Sequence, residues 1–296
     1  MTKVGFIGLG RMGLPMAANL LKAGFAVVGY DTSPARGALL VEKGGTVAAD
    51  IASLTRDSDI VISMIMNDSI LHQVALGPQG VVENLRPGAV YADLSTVTPA
   101  ASAVVGAAAA ARGVGYLCGA VAGSIGPATE GTLTLFASGE AAHFDTALGA
   151  FQAMSARALH VGAGDSAAYL KLVHSLIIGA YSALIGEALA FGEKGGLALD
   201  TIVDVLESGP LGSKQLTLKA PILKARDFDT PPSDINTAAK DVDMILETAR
   251  KDAMPLPVLS SVRQVMAAAQ ADGQGKRDIY AIFETFERLG GIGAGK

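Results

Sequence analysis

The stretch Val4-Gly5-Phe6-Ile7-Gly8-Leu9-Gly10-Arg11-Met12-Gly13-Leu14-Pro15-Met16-Ala17-Ala18-Asn19-Leu20 decides how this chain is read. Val4–Gly8 is a short apolar run of the kind that forms a buried strand. A helical pattern follows from Met12 to Ala23 and stops at Gly24. Between them the glycines fall as Gly-x-Gly-x-x-Gly. Alone this spacing means little in a chain with 36 glycines among 296 residues. Its place between a strand and a helix gives it weight. Gly8 permits the tight turn, Gly10 lets the backbone approach a pyrophosphate, and Gly13 lets helix and strand pack closely. The helix N-terminus then offers N–H groups and the positive end of its dipole to phosphates. Gly8, Leu9, Gly10, Arg11, Met12 and Gly13 are therefore read as a dinucleotide-binding turn.

Working outward, Ala26–Tyr30 is a second strand, and Asp31 ends it eighteen residues after Gly13. A carboxylate there accepts hydrogen bonds from ribose hydroxyls and repels a 2′-phosphate, which favours NAD over NADP. Asp31 equally suits a turn into Thr32-Ser33-Pro34, and Arg36 nearby keeps NADP open. Pro34 opens a helix to about Lys43. Asp59–Ser63 and Ala89–Asp93 are further buried strands, so the order of elements predicts a doubly wound parallel sheet covered on both faces. Thr98-Pro99 starts a helix with Thr as N-cap and Pro at the first helical position; it runs to Arg112 and stops at Gly113. Gly115–Cys118, Thr132–Ala137 and Ala158–Val161 are later strands.

The pattern changes after Gly162-Ala163-Gly164. From Asp165 to about Gly195 there is no turn signal, and a helix of that length is on the order of 45 Å long. Beyond it the chain reads as helix with short breaks. One is capped by Asp200 and ends at Gly209, another is ended by Pro221, and Pro231-Pro232 precedes a third from Asp234 to Asp252. Pro255 and Pro257 precede a helix to Ala271, Arg277–Leu289 is the last, and Gly290–Lys296 is a frayed tail. The expected organisation is an α/β domain over 1–163 and an all-α domain over 164–296, joined by the long helix.

Composition limits the partners. Hydrophobic residues make up 50% and charged ones 17%, which excludes a disordered chain. The net charge is −5, with no basic stripe and 5% aromatics, so no nucleic-acid partner is expected. Cys118 is the sole cysteine, and His72, His143, His160 and His174 lack ligand spacing, so no metal site is expected. Leu172–Phe191 is interrupted by His174, Ser175, Ser182 and Glu187, which favours a buried helix over a membrane span. The N-terminal Met1-Thr2-Lys3-Val4 leads straight into a strand, so the expected location is the cytoplasm.

Four segments in order resemble the β-hydroxyacid dehydrogenase family, whose best-known type is 3-hydroxyisobutyrate dehydrogenase. They are Val4–Leu20; Asp93-Leu94-Ser95-Thr96 with Thr98-Pro99; Gly123-Ser124-Ile125-Gly126-Pro127-Ala128 through Gly131-Thr132-Leu133; and Gly162-Ala163-Gly164 leading to Lys171, with Lys240-Asp241 further on. The likeness runs from Lys3 to about Leu289. It implies an N-terminal Rossmann-type domain and a helical C-terminal domain with the active site in the cleft between them. It also implies reversible oxidation of a small hydroxy acid by a nicotinamide cofactor, and a homodimer or homotetramer. By the match, Lys171 is catalytic, and Ser95 with the Gly123-Ser124 backbone holds substrate. Thr96 and Lys240 lie near the nicotinamide, and Met64, Ile65 and Met66 line the cofactor groove.

Hydride transfer at an alcohol carbon requires a proton to leave or join the oxygen. A positioned lysine donates it as ammonium, takes it back as amine, and stabilises negative charge on the oxygen. Without the resemblance, Lys171 would read as a lysine snorkelling from an apolar helix. Ser175 and Gly179 follow it at i+4 and i+8 on the same face, where they either touch substrate or serve helix packing. Ser95 lies just past a strand end, where α/β sheets place ligands; with the Gly123-Ser124 N–H groups it would receive a carboxylate. It also suits the turn before Thr98. Lys240 flanks an apolar helical stripe, and only the family match distinguishes it from a solvated edge residue.

The departures from the family pattern fall on the substrate side. His174 and Ser175 stand where the family usually has two asparagines, and Cys118-Gly119-Ala120-Val121-Ala122-Gly123-Ser124 replaces Asp-Ala-Pro-Val-Ser-Gly-Gly. Ser233 stands where an aromatic is frequent. Losing an amide at 175 and a hydroxyl at 122 leaves fewer fixed donors for a hydroxy acid. His174 is either an extra acid/base or a buried, internally satisfied histidine, and Cys118 reads as a strand-core thiol. The alternatives to a hydroxy-acid dehydrogenase are reduction of an imine or uncharged carbonyl on the same fold, although related imine reductases usually lack this lysine, and a non-catalytic NAD-binding protein.

Overall fold

A computed structural model describes residues 2–229, 231 and 233–293. It divides into two compact units, Met1–Lys171 and Leu172–Lys296.

The first unit is built on strands β1 (Lys3–Ile7), β2 (Ala26–Tyr30), β3 (Thr46–Val47), β4 (Ile60–Ser63), β5 (Val90–Asp93), β6 (Gly115–Ala122), β7 (Leu133–Gly139) and β8 (Ser155–His160). Its helices are α1 (Gly13–Lys22), α2 (Pro34–Val41), α3 (Ile51–Arg56), α4 (Asp68–Leu76), α5 (Val81–Asn84), α6 (Pro99–Ala111), α7 (Ile125–Glu130) and α8 (Ala141–Met154). The strands form one sheet in the order β3-β2-β1-β4-β5-β6-β7-β8. Alternate strand residues feed two cores. Val4, Phe6, Ile60 and Ile62 pack with Met16, Leu20 and Phe151 on one face. Ile7, Val61 and Tyr91 pack with Leu54, Leu71 and Val105 on the other. The doubly wound reading holds, because strands buried on both faces must be apolar throughout.

One part of that reading is corrected. The sheet is mixed, since β6 and β7 pair antiparallel while every other neighbouring pair is parallel. Only residues 123–132 join β6 to β7, and a parallel crossover needs a dozen residues or more. Two strands are also longer than expected, with β6 continuing to Ala122 and β8 starting at Ser155. Strand β3 and helices α3, α4, α5, α7 and α8 were not anticipated. Helices α3, α5 and α7 are only four to six residues long, too short to show a period. Thr98 caps α6 as expected, accepting the Ala101 N–H at 3.1 Å, with Pro99 at the first helical position.

Helix α9 (Ser166–Lys194) begins in the first unit and ends in the second. Its first turn belongs with the sheet because Ala167 and Ala168 are buried against Cys118, Ala120 and Phe136. Among the described residues it is the one helix long and apolar enough to cross a membrane by length and composition. It is buried along one face: Leu172, Ile185 and Leu189 are in the core, whereas Val173, Ile177, Leu184 and Phe191 are exposed.

The second unit continues with α10 (Leu199–Ser208), α11 (Lys214–Ala225), α12 (Ile235–Lys251), α13 (Pro257–Ala271) and α14 (Ile282–Leu289), the last preceded by 3-10 turns at Gln274–Lys276 and Ile279–Ala281. Pro221 lies inside α11 instead of ending it. Leu216, Ala220 and Leu223 are buried on both sides of the proline, and their burial outweighs a helix-interior proline cost of about 3 kcal/mol. Ala198, not Asp200, is the N-cap of α10; Asp200 sits in the first turn, where its charge complements the dipole. The expected Arg277–Leu289 helix is a 3-10 turn leading into α14, because the Asp278 side chain accepts the Tyr280 N–H and makes a separate cap. Pro232 and residues 294–296 lie outside the described residues. Lys219 and Asp278 form a buried ion pair at 2.5 Å.

Candidate active site

The glycine turn sits at the C-terminal end of β1. There the strand order reverses between β2-β1 and β4-β5, the crevice where open α/β sheets bind ligands. Each glycine has a distinct steric reason. Gly8 has φ +91°, and a Cβ on it would lie 2.3 Å from the Met64 carbonyl oxygen. A Cβ on Gly13 would lie 1.9 Å from the Gly8 carbonyl oxygen and 3.0 Å from the Phe6 ring. Gly10 is different: its missing side chain would meet nothing within 4 Å. The turn thus presents an open backbone face, and α1 begins at Met12–Gly13 with no side-chain cap on its first N–H groups. These features fit the pyrophosphate of a dinucleotide.

Asp31 follows β2 and closes the turn. Its Oδ2 accepts the Leu9 N–H at 2.7 Å and its Oδ1 accepts the Ser33 N–H at 2.8 Å. The carboxylate therefore shapes both the glycine turn and its own turn, and each oxygen keeps a lone pair for a ribose hydroxyl. Arg11 is exposed, and Met12 and Arg36 are partly exposed. Met64 and Ile65 are partly exposed beyond β4, and Met66 is exposed.

The β4 and β5 strand ends are joined by a buried polar network. Asp93 Oδ1 accepts from Ser63 Oγ at 2.6 Å and from Ser95 Oγ at 2.7 Å. Ser63 also meets the Tyr91 hydroxyl at 2.8 Å. Because the Ser63 hydrogen is given to Asp93, Tyr91 is the donor in that contact. Ser95 Oγ in turn accepts the Ile65 N–H at 2.8 Å. Asp93 Oδ2 is buried without a hydrogen-bond partner among the described residues. Burial pushes the Asp93 carboxyl up to about 6, against the Ser63 and Ser95 bonds that favour the charged form. Thr96 is partly exposed beside this network. Thr98, two residues on, donates its hydroxyl to Asp68 Oδ2 at 2.6 Å.

Beyond β6, Gly123 has φ +132°, and a Cβ there would strike Leu133. Ser124 precedes α7 without spending its hydroxyl on a cap. Lys171 is half-buried and donates from Nζ to the Val121 carbonyl at 2.9 Å. This bond holds the ammonium two residues from Gly123. Cys118 is a core thiol of β6, as expected, and burial pushes it up to about 11.

His174, Ser175 and Lys240 belong to the second unit. Ser175 Oγ donates to Asp241 Oδ2 at 3.2 Å, and Lys240 Nζ pairs with Asp241 Oδ1 at 3.0 Å. Ser175 and Lys240 are thus joined through one carboxylate. His174 is exposed, which removes the buried-histidine reading. Gly179 is buried beside Val242, and a Cβ on it would meet that side chain at 3.4 Å, an ordinary contact distance. Among the described residues no three His, Cys, Asp or Glu side chains gather as a metal set.

Asp93, Ser63 and Asp241 were not among the expected site residues. Asp93 left a signal, a carboxylate ending an otherwise apolar strand. Ser63 left none.

Comparison with known proteins accords with this geometry. Residues 3–162 match the NAD-binding domain of 6-phosphogluconate dehydrogenase, and residues 162–286 match the NAD-binding domain of NADP-dependent 3-hydroxyisobutyrate dehydrogenase. The fold and turn thus define an NAD(P)-dependent oxidoreductase. The chain is 30% identical to 2-(hydroxymethyl)glutarate dehydrogenase of Eubacterium barkeri, over 98% of this chain and 96% of that protein. It is 31% identical to 3-sulfolactaldehyde reductase of Escherichia coli, over 99% of each. The crystal structure of 3-hydroxyisobutyrate dehydrogenase from Salmonella typhimurium superposes with a TM-score of 0.85 at 27% identity, over 96% of this chain and 100% of that one. The chain belongs to the β-hydroxyacid dehydrogenase family.

Proposed function

We propose that the protein transfers a hydride reversibly between NAD and a small 3-hydroxy acid of the 3-hydroxyisobutyrate type, with Lys171 as general acid and base. The observation that carries this reading is the Lys171 ammonium, held at 2.9 Å from Val121 O beside the Gly123-Ser124 loop. From there Nζ gives a proton to a forming alkoxide in one direction and takes it back in the other. The positive charge stabilises the oxygen as its bond changes. The Ser124 hydroxyl and the Gly123-Ser124 backbone receive the substrate carboxylate. When bound, the nicotinamide supplies or accepts the hydride. Asp31 orients its ribose and favours NAD over the phosphorylated form. The relatives' names support a small anionic substrate, one a hydroxymethyl dicarboxylic acid and the other a sulfonated aldehyde. We assign residues 1–163 to cofactor binding and 164–296 to substrate and subunit contacts, in a cytoplasmic homodimer or homotetramer.

A panel of 3-hydroxy acids, run with NAD and NADP side by side, tests the assignment. Lys171→Ala should lower kcat by about 10²- to 10⁴-fold while leaving NAD binding unchanged. Intact turnover in that variant would remove lysine from the mechanism. A second reading, reduction of an imine or uncharged carbonyl, is favoured by Ser175 being spent on Asp241, with no amide at that place. Inhibition by simple carboxylates would count against it.

A further inference from the structure

Ser95 was expected to contact substrate, but its surroundings give it another task. The side chain is 2% exposed. Its one hydrogen goes inward to Asp93 Oδ1 at 2.7 Å, and its oxygen receives the Ile65 N–H at 2.8 Å. A hydroxyl has one donor, so Ser95 has none left for a carboxylate while Asp93 holds that hydrogen.

The acceptor at the root of this chain is itself held in place. Asp93 Oδ1 also receives the Ser63 hydroxyl at 2.6 Å, and Ser63 ends β4, the strand whose continuation is Met64-Ile65-Met66. One oxygen of one buried carboxylate therefore grips β4 twice. It does so directly through Ser63 and, two residues further along, through Ser95 and the Ile65 amide. Leu94 N–H to Ser63 O at 2.9 Å adds a backbone bond between the same strand ends. The segment so fixed faces the glycine turn: the Met64 carbonyl is the atom a Cβ on Gly8 would strike at 2.3 Å, and the Ile65 side chain lies 3.3 Å from the same point.

We propose that Asp93 and Ser95 are positioning residues of the cofactor groove, a bracket from β5 that sets the backbone of residues 64–66 against the glycine turn, and that Ser95 does not bind the substrate carboxylate. This goes beyond the hydroxy-acid reading and does not require it, because its readout is dinucleotide binding.

The test is calorimetric titration of the full-length protein with NADH and with NADPH, alongside steady-state kinetics on the best substrate found. Ser95→Ala removes the Ser95 arm of the bracket with no added bulk, leaves the Ser63 arm in place, and should weaken binding of the preferred dinucleotide roughly three- to tenfold, as expected for one lost hydrogen bond. The KM for the acid at saturating cofactor should stay within twofold. Asp93→Asn keeps an oxygen that can accept both hydroxyls, and should bind the dinucleotide more tightly than Asp93→Ala. If Asp93→Ala does not fold, the ordering of Ser95→Ala against Ser95→Thr, which restores the hydroxyl, decides the matter: Thr should recover the lost affinity. The proposal is overturned if Ser95→Ala binds dinucleotide like the parent, or raises the KM for the acid tenfold with dinucleotide affinity unchanged. Should no hydroxy acid be turned over at all, the proposed function fails and the binding comparison still stands or falls alone.

Discussion

The two units each bury a carboxylate, and they treat it differently. In the second unit Asp278 is fully buried, and both its oxygens are satisfied: Oδ2 by Lys219 at 2.5 Å, Oδ1 by the Tyr280 N–H at 3.0 Å. In the first unit Asp93 is also buried but has no cation partner among the described residues. Two hydroxyls share one of its oxygens, and the other has no partner among the described residues. The paired charge ties helix α11 to the turn that precedes α14 and needs nothing more. An unpaired one is costly, and it stands at the end of a sheet where the cofactor groove begins. The difference separates a carboxylate that builds the fold from one that arranges the site.

The largest test of this contrast is Lys219→Met. It removes the cation and leaves Asp278 buried alone, which should destabilise the protein by about 3–5 kcal/mol in denaturant unfolding. Adding Asp278→Leu to the same variant should recover much of that loss, because two apolar groups replace the pair. If the double variant is no better than the single one, the pair does more than tie α11 to this turn.

Asp93 should show itself through pH. Its carboxyl is raised from 3.8 to about 6 by burial first, with a smaller push from Asp68 and opposing hydrogen bonds from Ser63 and Ser95. The folded state then binds more protons than the unfolded state between these values. Stability contributed by protonated Asp93 is therefore complete below about pH 4 and is lost as pH rises through 6. The shift corresponds to about 3 kcal/mol. Asp93→Asn should flatten that fall in unfolding free energy measured across pH 4 to 7. A smaller effect is expected from Ser63→Ala. It removes one bond that favours ionised Asp93, so it should cost about 1 kcal/mol at neutral pH and move the fall to a higher pH.

These features were unequally visible in the sequence. The glycine turn was legible because its constraints act on the backbone: only glycine tolerates 1.9 Å at position 13 and φ +91° at position 8, so the residue type records the geometry. The family motifs single out Lys171 and Gly123-Ser124, which the structure joins through the Lys171 bond to Val121 O, two residues before Gly123. The Lys219–Asp278 pair was invisible, since 59 residues separate its partners and neither side chain breaks a local pattern. Pro221 misled, because a local helix-breaking rule lost to the burial of Leu216 and Leu223. The antiparallel β6/β7 pair has a local cause of its own: the ten residues between the strands are too few for a parallel crossover. Asp93 lies in the Asp93–Thr96 motif, but its hydrogen bonds to Ser63 and Ser95 require the strand register, which spacing alone does not supply.

The short β6–β7 connection also bears on how the first unit assembles. Ala122 faces Thr134 across a gap of twelve residues, whereas Val4 faces Ile60 across fifty-six. Closing the smaller loop costs less chain entropy and rewards it sooner. In pulsed hydrogen-exchange labelling during refolding, the β6–β7 amides should gain protection before those of β1 and β4. The strand that holds Lys171 Nζ would then be in place before the glycine turn closes, so the lysine end of the proposed site would be organised ahead of its glycine-turn end.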